Sequence, residues 1–314
     1  MITSLAARCL GVLGVTCLVG AAAVACTSAG AAAVAPHATR LSTARAPSPS
    51  PSPSDKPPVV VILMENHEYD SVAGAASAPY LNGTLIPSGT LFTNYYAVSH
   101  PSLPNYLALT VGDTCGKDGT DTARPLCTMP SVWGQMSAAG ITAREWAENE
   151  SANCSYASDG TGLYAIRHDS YAIVADAESL ASCGDLTTGN GTPAPGLGPL
   201  AAALASATPP AYSFVTPNLC DDMHDCSVAA GDSWLAANVP TLLKAGAVVI
   251  VTFDEGSTDT NGGGRVLAVE AGPEVPAGAR DGTFYTHYGL LAGIEHYFGL
   301  PLLAKARTAT PLPV

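Results

Sequence analysis

Charged side chains are scarce in this sequence. Lysine and arginine number 13 among 314 residues, and the four charged types together make up only 12%. Acidic residues outnumber basic ones, so the formal net charge is −13. Because no basic surface is available to neutralise phosphates along a strand, the composition argues against nucleic acid as a partner. Hydrophobic residues reach 47%, which is enough for a sizeable core.

Long apolar runs are also rare, and the only one comparable to a membrane span lies near the N-terminus. It reads "CLGVLGVTCLVGAAAVAC" (Cys9–Cys26), follows Arg8, and precedes small residues. These features are typical of an export segment, which we assign to residues 1–35. Three fates of this segment stay open: cleavage near the "AVA" before Pro36, a lipid-bearing Cys26 at the lipoprotein-like "AVAC", and a retained membrane anchor. We therefore expect a bacterial protein that is secreted or tethered to the cell envelope.

The C-x-x-C spacing of common zinc sites is absent, which disfavours a cysteine-rich zinc centre. Three of the nine cysteines lie in the export segment, so six remain. An even number in an exported chain indicates disulfides. Other pairings stay open, but proximity along the chain favours Cys115–Cys127, Cys154–Cys183 and Cys220–Cys226.

A proline- and serine-rich stretch, "APSPSPSPSDKPP" (Ala46–Pro58), divides the export segment from the rest of the chain. Such a composition is typical of an extended, semi-rigid linker. We assign residues 36–57 to the linker, 58–306 to one folded domain and 307–314 to a C-terminal tail. We expect a monomer.

Apolar strands alternate with helical segments along the domain, which predicts an α/β three-layer sandwich with a mostly parallel central sheet. The first and fourth strands are continuous hydrophobic runs, as in a sheet buried on both faces. Residues 112–127 and 149–199 are polar, glycine-rich loops. The strands are predicted at Val59–Met64, Ile141–Ala147, Ala211–Thr216, Ala247–Phe253 and Arg265–Ala271, and the helices at Leu103–Val111, Ser131–Ala139, Leu197–Ala207, Ala229–Lys244 and His287–Phe298.

Carboxylates and histidines follow three of these strands at the point where each strand ends. The first strand is followed by "ENH" (65–67), the third by "PNLCDDMHDC" (217–226), and the fourth by "DEG" (254–256). Ligands of parallel sheets bind beyond the carboxyl ends of the strands. Each cluster alone fits an ordinary turn or acidic loop, but together they predict a divalent metal site at one sheet edge.

Ser102 begins the segment "SLPNYLALTVG" (Ser102–Gly112), in which a proline two residues later fits the first helical turn. One interpretation is an ordinary N-cap serine. The other is a nucleophile, because a helix N-terminus suits phosphate and a nearby cation lowers the pKa of a hydroxyl. In that case Asn105 is placed to donate its amide N–H to a developing oxyanion.

Six segments of the sequence together resemble one family. In chain order they are "ILMENHEYDSV", "SHPSLPNYLALTVG", "YAIRHDSY", "TPNLCDDMHDCSVAAGDSWL", "VTFDEG" and "THYGLLAGIEHYFGLP". They resemble the bacterial and fungal phosphoesterases, a family of acid phosphatases and non-specific phospholipases C within the alkaline phosphatase superfamily. The likeness covers about Val59–Leu303. One departure is His168-Asp169-Ser170-Tyr171, where the family often has H-N-P-F.

The resemblance implies an alkaline phosphatase-like fold, one or more divalent metal ions of unknown identity, and a small phosphate-ester substrate. It implies Ser102 as nucleophile, and His224 and His287 as further catalytic residues. His100, Asn105 and His168 are implied as substrate-phosphate contacts. The implied metal ligands are Glu65, Asn66, Ser102, Asp222, Asp254 and Glu255.

The function expected from these residues is hydrolysis of phosphate monoesters through a phosphoserine. A phospholipase C acting on lipid diesters is the first alternative, although only 6% of residues are aromatic and the negative charge is repelled by anionic lipid. A phosphoryl transferase and a non-catalytic envelope binding protein are the others. The metal, the natural substrate and the pH optimum do not follow from the sequence.

Overall fold

The computed structural model describes residues 56–119, 126–151, 156–178 and 196–314. The export segment at 1–35, the linker up to Asp55 and the predicted pair Cys154–Cys183 lie outside these residues. The other two predicted disulfides are confirmed, since Cys115 is joined to Cys127 and Cys220 to Cys226. Within the described ranges, no helix combines the length and the apolar character needed to cross a membrane.

In the described residues, nine strands form two sheets. The strands are β1 (Val59–Met64), β2 (Thr90–Phe92), β3 (Tyr95–Tyr96), β4 (Ala143–Ala147), β5 (Tyr212–Thr216), β6 (Val248–Phe253), β7 (Ala268–Ala271), β8 (Ala279–Asp281) and β9 (Tyr285–Thr286). The large sheet has the order β4-β5-β1-β6-β7-β2-β8, and β3 pairs with β9. The first four strands in this order run parallel, and β7 is antiparallel to both its neighbours. The mostly parallel sheet is therefore confirmed.

The part of the chain that the structure describes also contains eight α-helices, and short 3₁₀ turns occur at Ile166–His168, Thr260–Gly262 and Ala304–Arg307. A π-helical turn at Leu81–Leu85 runs directly into the second helix. The helices are α1 (Tyr69–Val72), α2 (Ile86–Ser88), α3 (Ser102–Val111), α4 (Val132–Ala138), α5 (Ala175–Glu178), α6 (Gly198–Leu204), α7 (Val228–Lys244) and α8 (His287–Phe298).

Every residue of β1 and β6 is buried. Since side chains alternate between the two faces of a strand, this pattern requires cover on both faces of the sheet. The helices provide it in two groups: α3 contacts α4 and α8, whereas α7 contacts α6 and β6. The result is the three-layer α/β sandwich expected from the sequence.

The register of the central strands fixes the position of the site. Met64 at the end of β1 lies opposite Phe253 at the end of β6, in parallel. The residues that follow, Glu65 and Asp254, therefore leave the sheet side by side at its carboxyl edge. The tail at the C-terminus packs on α8, where buried Leu312 donates its N–H to the Gly289 carbonyl at 2.9 Å.

Candidate active site

The ends of β1 and β6 are tied together by backbone contacts. Asp254 donates its N–H to the Met64 carbonyl at 2.8 Å, and the Asn66 N–H donates to Asp254 Oδ1 at 2.9 Å. Asn66 adopts φ 55°, in the left-handed region that asparagine tolerates better than most residues. This turn directs Glu65 and Asp254 to the same place, and both side chains are fully buried.

A third buried carboxylate, Asp222, comes from the loop after β5. Its backbone carbonyl accepts the Glu65 N–H at 2.8 Å, and its Oδ1 accepts the His224 N–H at 2.7 Å. Burial raises the pKa of the Asp222 carboxyl to about 8, and the charge of Asp254 acts in the same direction. Burial and these neighbouring carboxylates likewise raise the pKa of Glu65 well above its ordinary value.

Ser102 lies beside this cluster as the first residue of α3. Its hydroxyl donates to Glu65 Oε2 at 3.0 Å. The N-cap interpretation is wrong, because Pro101 occupies the cap position and no side chain caps the helix. The hydroxyl is thus engaged with a buried carboxylate rather than with the backbone of its own helix, and the free N–H groups of the first turn lie next to it.

Tyr106 and His168 complete the wall of the site. The Tyr106 hydroxyl donates to Glu65 Oε1 at 2.5 Å, and its ring stacks on His168 with centroids 5.0 Å apart and planes 2° from parallel. His168 Nδ1 lies 3.4 Å from the same Glu65 oxygen. Burial lowers the pKa of His168 well below its ordinary value, so the ring is neutral. Tyr106 did not emerge from the sequence, although its position one turn after Ser102 places it on the same side of α3.

His100 and Glu255 form a separate pair beside the central cluster. His100 Nδ1 lies 2.8 Å from Glu255 Oε2, and its Nε2 lies 3.0 Å from the Thr258 carbonyl. Burial and the charge of Asp254 raise the pKa of Glu255 to about 7, with His100 opposing the shift. Their predicted roles as phosphate contact and metal ligand stay predictions.

Asn105 and His287 are fully buried and engaged with neighbouring groups. Asn105 Oδ1 accepts the Val98 N–H at 3.0 Å, and its amide donates to the Ser99 carbonyl at 2.8 Å, which fixes the loop before α3. His287 Nε2 donates to the Asp254 carbonyl at 2.6 Å, and Nδ1 accepts the Tyr95 hydroxyl at 2.9 Å. Burial lowers the pKa of His287 to about 4, so it is a neutral group behind Asp254. Substrate contact and catalysis by these two residues stay predictions.

His224 is the predicted catalytic histidine with access to solvent. Its side chain is 26% exposed, and Nδ1 lies 2.7 Å from Asp225 Oδ1. Its ring centroid is 6.0 Å from that of His168. His224 therefore lies between the buried cluster and the surface, and its catalytic role stays a prediction.

The donor set fits a divalent cation. Glu65, His168 and Asp222 each offer a ligand atom, and these atoms lie within 4.8 Å of one another. Several buried polar atoms of the site have no hydrogen-bond partner, namely Asp222 Oδ2, Asp254 Oδ2 and both His168 nitrogens. In the described ranges, no lysine or arginine forms an ion pair with these carboxylates. Carboxylate and imidazole donors with no protein cation among them suit a bound metal. His168 thus joins the candidate ligands as well as the candidate phosphate contacts.

Known proteins of similar sequence identify the chain as a hydrolase that acts on phosphate esters. The profile of the phosphoesterase family matches residues 78–301, and the chain belongs to that family. It is 30% identical over 258 residues to a phosphatidylinositol-3-phosphatase of Mycobacterium tuberculosis, with 81% of each chain covered.

Two fungal relatives are more distant. The acid phosphatase of Aspergillus fumigatus is 28% identical over 261 residues, which cover 78% of this chain and 55% of the relative. The phosphate-repressible acid phosphatase of Penicillium chrysogenum is also 28% identical, with 78% and 60% covered. The chain thus spans little more than half the length of these fungal enzymes.

Solved structures share the fold. A Vibrio parahaemolyticus protein of the alkaline phosphatase superfamily superposes with a TM-score of 0.53 at 12% identity, covering 78% of this chain and 67% of the other. The lipoteichoic acid synthase LtaP of Listeria monocytogenes gives 0.54 at 10% identity, with 81% and 76% covered. At these identities the likeness establishes the alkaline phosphatase-like architecture and nothing finer.

Proposed function

We propose that the chain is an exported, metal-dependent phosphomonoesterase of the acid phosphatase type, with Ser102 as nucleophile. The observation that carries the proposal is the Ser102 hydroxyl at the N-terminus of α3, hydrogen-bonded to buried Glu65 at 3.0 Å. Next to it lie the buried carboxylates Asp222 and Asp254, each with an oxygen that lacks a partner. A nucleophile, a phosphate-binding helix end and a set of hard ligands therefore meet at one place.

The divalent cation would be held by Glu65, Asp222, Asp254 and His168. The family resemblance adds Asn66, Ser102 and Glu255 as further candidate ligands. When bound, the ion supplies positive charge that lowers the pKa of a hydroxyl and balances phosphate oxygens. Buried carboxylates need this charge to remain ionised, because their pKa values are raised without it.

The reaction of the chain's own residues follows from their positions. Glu65 orients the Ser102 hydroxyl, and the first-turn N–H groups of α3 bind the phosphate oxygens. Ser102 Oγ attacks phosphorus as its proton passes to Glu65 Oε2, the bond to the ester oxygen breaks, and a phosphoserine forms. His224, which reaches solvent, donates a proton to the leaving oxygen. Water then cleaves the phosphoserine and releases phosphate.

Export is supported by the apolar N-terminal segment and by two disulfides in the described part of the chain. A lipidated Cys26 would tether the domain to a membrane through the linker. The monoester specificity is supported by relatives named as phosphatases. Phospholipase C activity on diesters and phosphate binding without turnover are the alternatives that assays must separate.

The first test is Ser102→Ala. We expect kcat/KM on a chromogenic phosphate monoester to fall by roughly 10³-fold or more, with the free energy of unfolding retained. Ser137→Ala, at an exposed position on α4, is the matched control and should behave as wild type. Wild-type turnover by the purified Ser102→Ala protein would refute the nucleophile.

The second test is a substrate panel with metal-stripped and metal-restored enzyme. Hydrolysis of the monoester but not of phosphatidylcholine supports the phosphomonoesterase. The reverse preference would establish the phospholipase C alternative. If the protein binds phosphate but releases no product, with or without added metal, it is a binding protein and not an enzyme.

A further inference from the structure

The segment that carries Asp222 and His224 is closed into a small ring. Cys220 and Cys226, six residues apart, form a disulfide on either side of these two residues. The ring belongs to the stretch 218–226, called here the 218–226 loop. One of its contacts with the centre of the fold is the hydrogen bond from the Glu65 N–H to the Asp222 carbonyl at 2.8 Å. The position of the loop therefore affects two buried carboxylates at once.

The loop has a conformation that an open chain disfavours. Met223, at its centre, has φ 80°, in the left-handed region that residues with a side chain rarely adopt. Its side chain is only 2% exposed and packs against Gly231 on α7. Backbone in such a region persists only where its surroundings hold it there. A covalent ring around Met223 is one such restraint.

The two disulfides of the described ranges differ in their relation to the site and to solvent. Cys220 and Cys226 are both half-buried, so a small thiol can approach them. In the other disulfide, Cys115 is half-buried as well, but Cys127 is only 3% exposed. No candidate site residue lies between Cys115 and Cys127, so that disulfide is a natural comparison.

We propose that Cys220 and Cys226 are positioning residues, whose disulfide holds Asp222 and His224 in the site and makes the enzyme reversibly sensitive to thiols. The inference rests on the proposed function for the metal-binding role of Asp222. A dithiol supplies the electrons: one of its thiolates attacks a cysteine sulfur, the Sγ–Sγ bond breaks, and the second thiolate displaces the mixed disulfide. In this second step the thiolate attacks the dithiol's other sulfur, the bond from that sulfur to the cysteine breaks, and the dithiol leaves as a cyclic disulfide while its two protons end on the two cysteine thiols.

The test compares two double variants of the full chain. Cys220→Ser with Cys226→Ser should weaken Mn²⁺ binding about 10-fold or more, as loss of groups that orient metal ligands does, and should lower kcat/KM with it. Cys115→Ser with Cys127→Ser should keep the wild-type Mn²⁺ affinity. Calorimetry on metal-stripped protein gives the affinity, and a chromogenic monoester gives kcat/KM.

Amide hydrogen exchange rates are measured on the same proteins. Loss of the ring should speed exchange in the 218–226 loop and at the Glu65 N–H, while β6 stays protected as evidence of an intact fold. Should the variant fail to fold, dithiothreitol applied to native wild type, followed by reoxidation, gives the same comparison. Treatment should reduce Mn²⁺ affinity reversibly in wild type and to the same degree in the Cys115→Ser, Cys127→Ser protein, which keeps the Cys220–Cys226 disulfide.

Unchanged Mn²⁺ affinity and unchanged exchange, in the variant and in reduced wild type, would overturn the inference while leaving the proposed function intact. A wild type that neither binds Mn²⁺ nor hydrolyses esters would instead refute the proposed function. In that case exchange at the Glu65 N–H still decides the positioning role: faster exchange after loss of the disulfide supports it, and unchanged exchange refutes it.

Discussion

At the scale of single residues, the Tyr106 hydroxyl sets the orientation of Glu65. It occupies Oε1 and leaves Oε2 for Ser102. Tyr106→Phe keeps the ring stacked on His168 but frees Oε1, so the carboxylate loses one of its restraints. We expect about 10-fold weaker divalent-metal binding and a similar loss in kcat, with KM little changed.

Metal titration and steady-state kinetics on the same preparation check this prediction. Tyr288→Phe is the control, since that hydroxyl lies on α8 beside Lys305, on the exposed surface. An unchanged metal affinity in Tyr106→Phe would show that other contacts fix Glu65.

Glu270 is a buried carboxyl on β7, away from the site. Burial raises its pKa from 4.5 to about 7. Between these values the folded state holds a proton that the unfolded state has released, so the free energy of unfolding falls as pH rises through this window. In wild type, this group should lower the free energy of unfolding by on the order of 2 kcal/mol across the window. In Glu270→Gln this decrease should be absent.

This contribution of Glu270 is measured by urea unfolding of wild type and variant at several pH values across the window. Exposed Glu274 offers the control Glu274→Gln, for which we expect curves parallel to wild type. Parallel curves for Glu270→Gln as well would contradict the assignment.

At the scale of elements, α7 supports the 218–226 loop because one of its residues has no side chain. A Cβ on Gly231 would lie 2.4 Å from Met223 Cγ and 2.8 Å from the Asp221 carbonyl. Gly231→Ala should therefore push the loop outward and cost roughly 1–3 kcal/mol of stability, with a loss of kcat/KM that exceeds the effect on folding.

Chemical unfolding and kinetics measure the two effects separately. Gly198→Ala on α6 is matched, because a Cβ there meets nothing within 4 Å. If Gly231→Ala retains wild-type kcat/KM, close packing of α7 is not needed to place Asp222.

The long elements were predictable from the sequence, and the short ones were not. Continuous apolar runs identified β1 and β6, and the polar residues after them were correctly expected at one sheet edge. The strands β2, β3, β8 and β9 span only two or three residues, too few to show a period. They are set by tertiary pairing rather than by local pattern.

The candidate site was predictable for the same reason and to the same extent. Glu65 and Asp254 follow directly from the strand ends. The stacking of Tyr106 on His168 does not, because it depends on how the 3₁₀ turn Ile166–His168 packs against α3. Ser102 lies at the start of α3, as both interpretations required, but its hydroxyl donates to a carboxylate at the end of β1 and does not cap the helix.

At the scale of the whole molecule, an acidic chain holds a buried acidic site. With the cation removed by a chelator, burial keeps the pKa values of Glu65, Asp222 and Asp254 raised, and neighbouring carboxylates add to the shift for Glu65 and Asp222. Metal binding requires their deprotonated forms, so we expect the rise in Tm on adding Mg²⁺, Mn²⁺ or Zn²⁺ to be larger above the pKa values than below them.

Thermal unfolding of stripped protein with each ion, at about pH 5 and about pH 9, checks this expectation against the pKa of about 8 for Asp222. Asp222→Asn should diminish the difference between the two pH values. A metal-induced rise in Tm that does not depend on pH would show that these carboxylates are not the ligands.

The hydrogen bond between Asn66 and Asp254 joins residues 188 positions apart in the chain. On a ribosome, Glu65 and Ser102 leave the exit tunnel long before β6 exists. A chain that stops before Val248 would carry the nucleophile and one carboxylate, but β1 would lack the parallel neighbour that brings Asp254 to it. Assembly of the site therefore requires about the last fifth of the chain to be present, and contacts this distant in sequence make for slow folding.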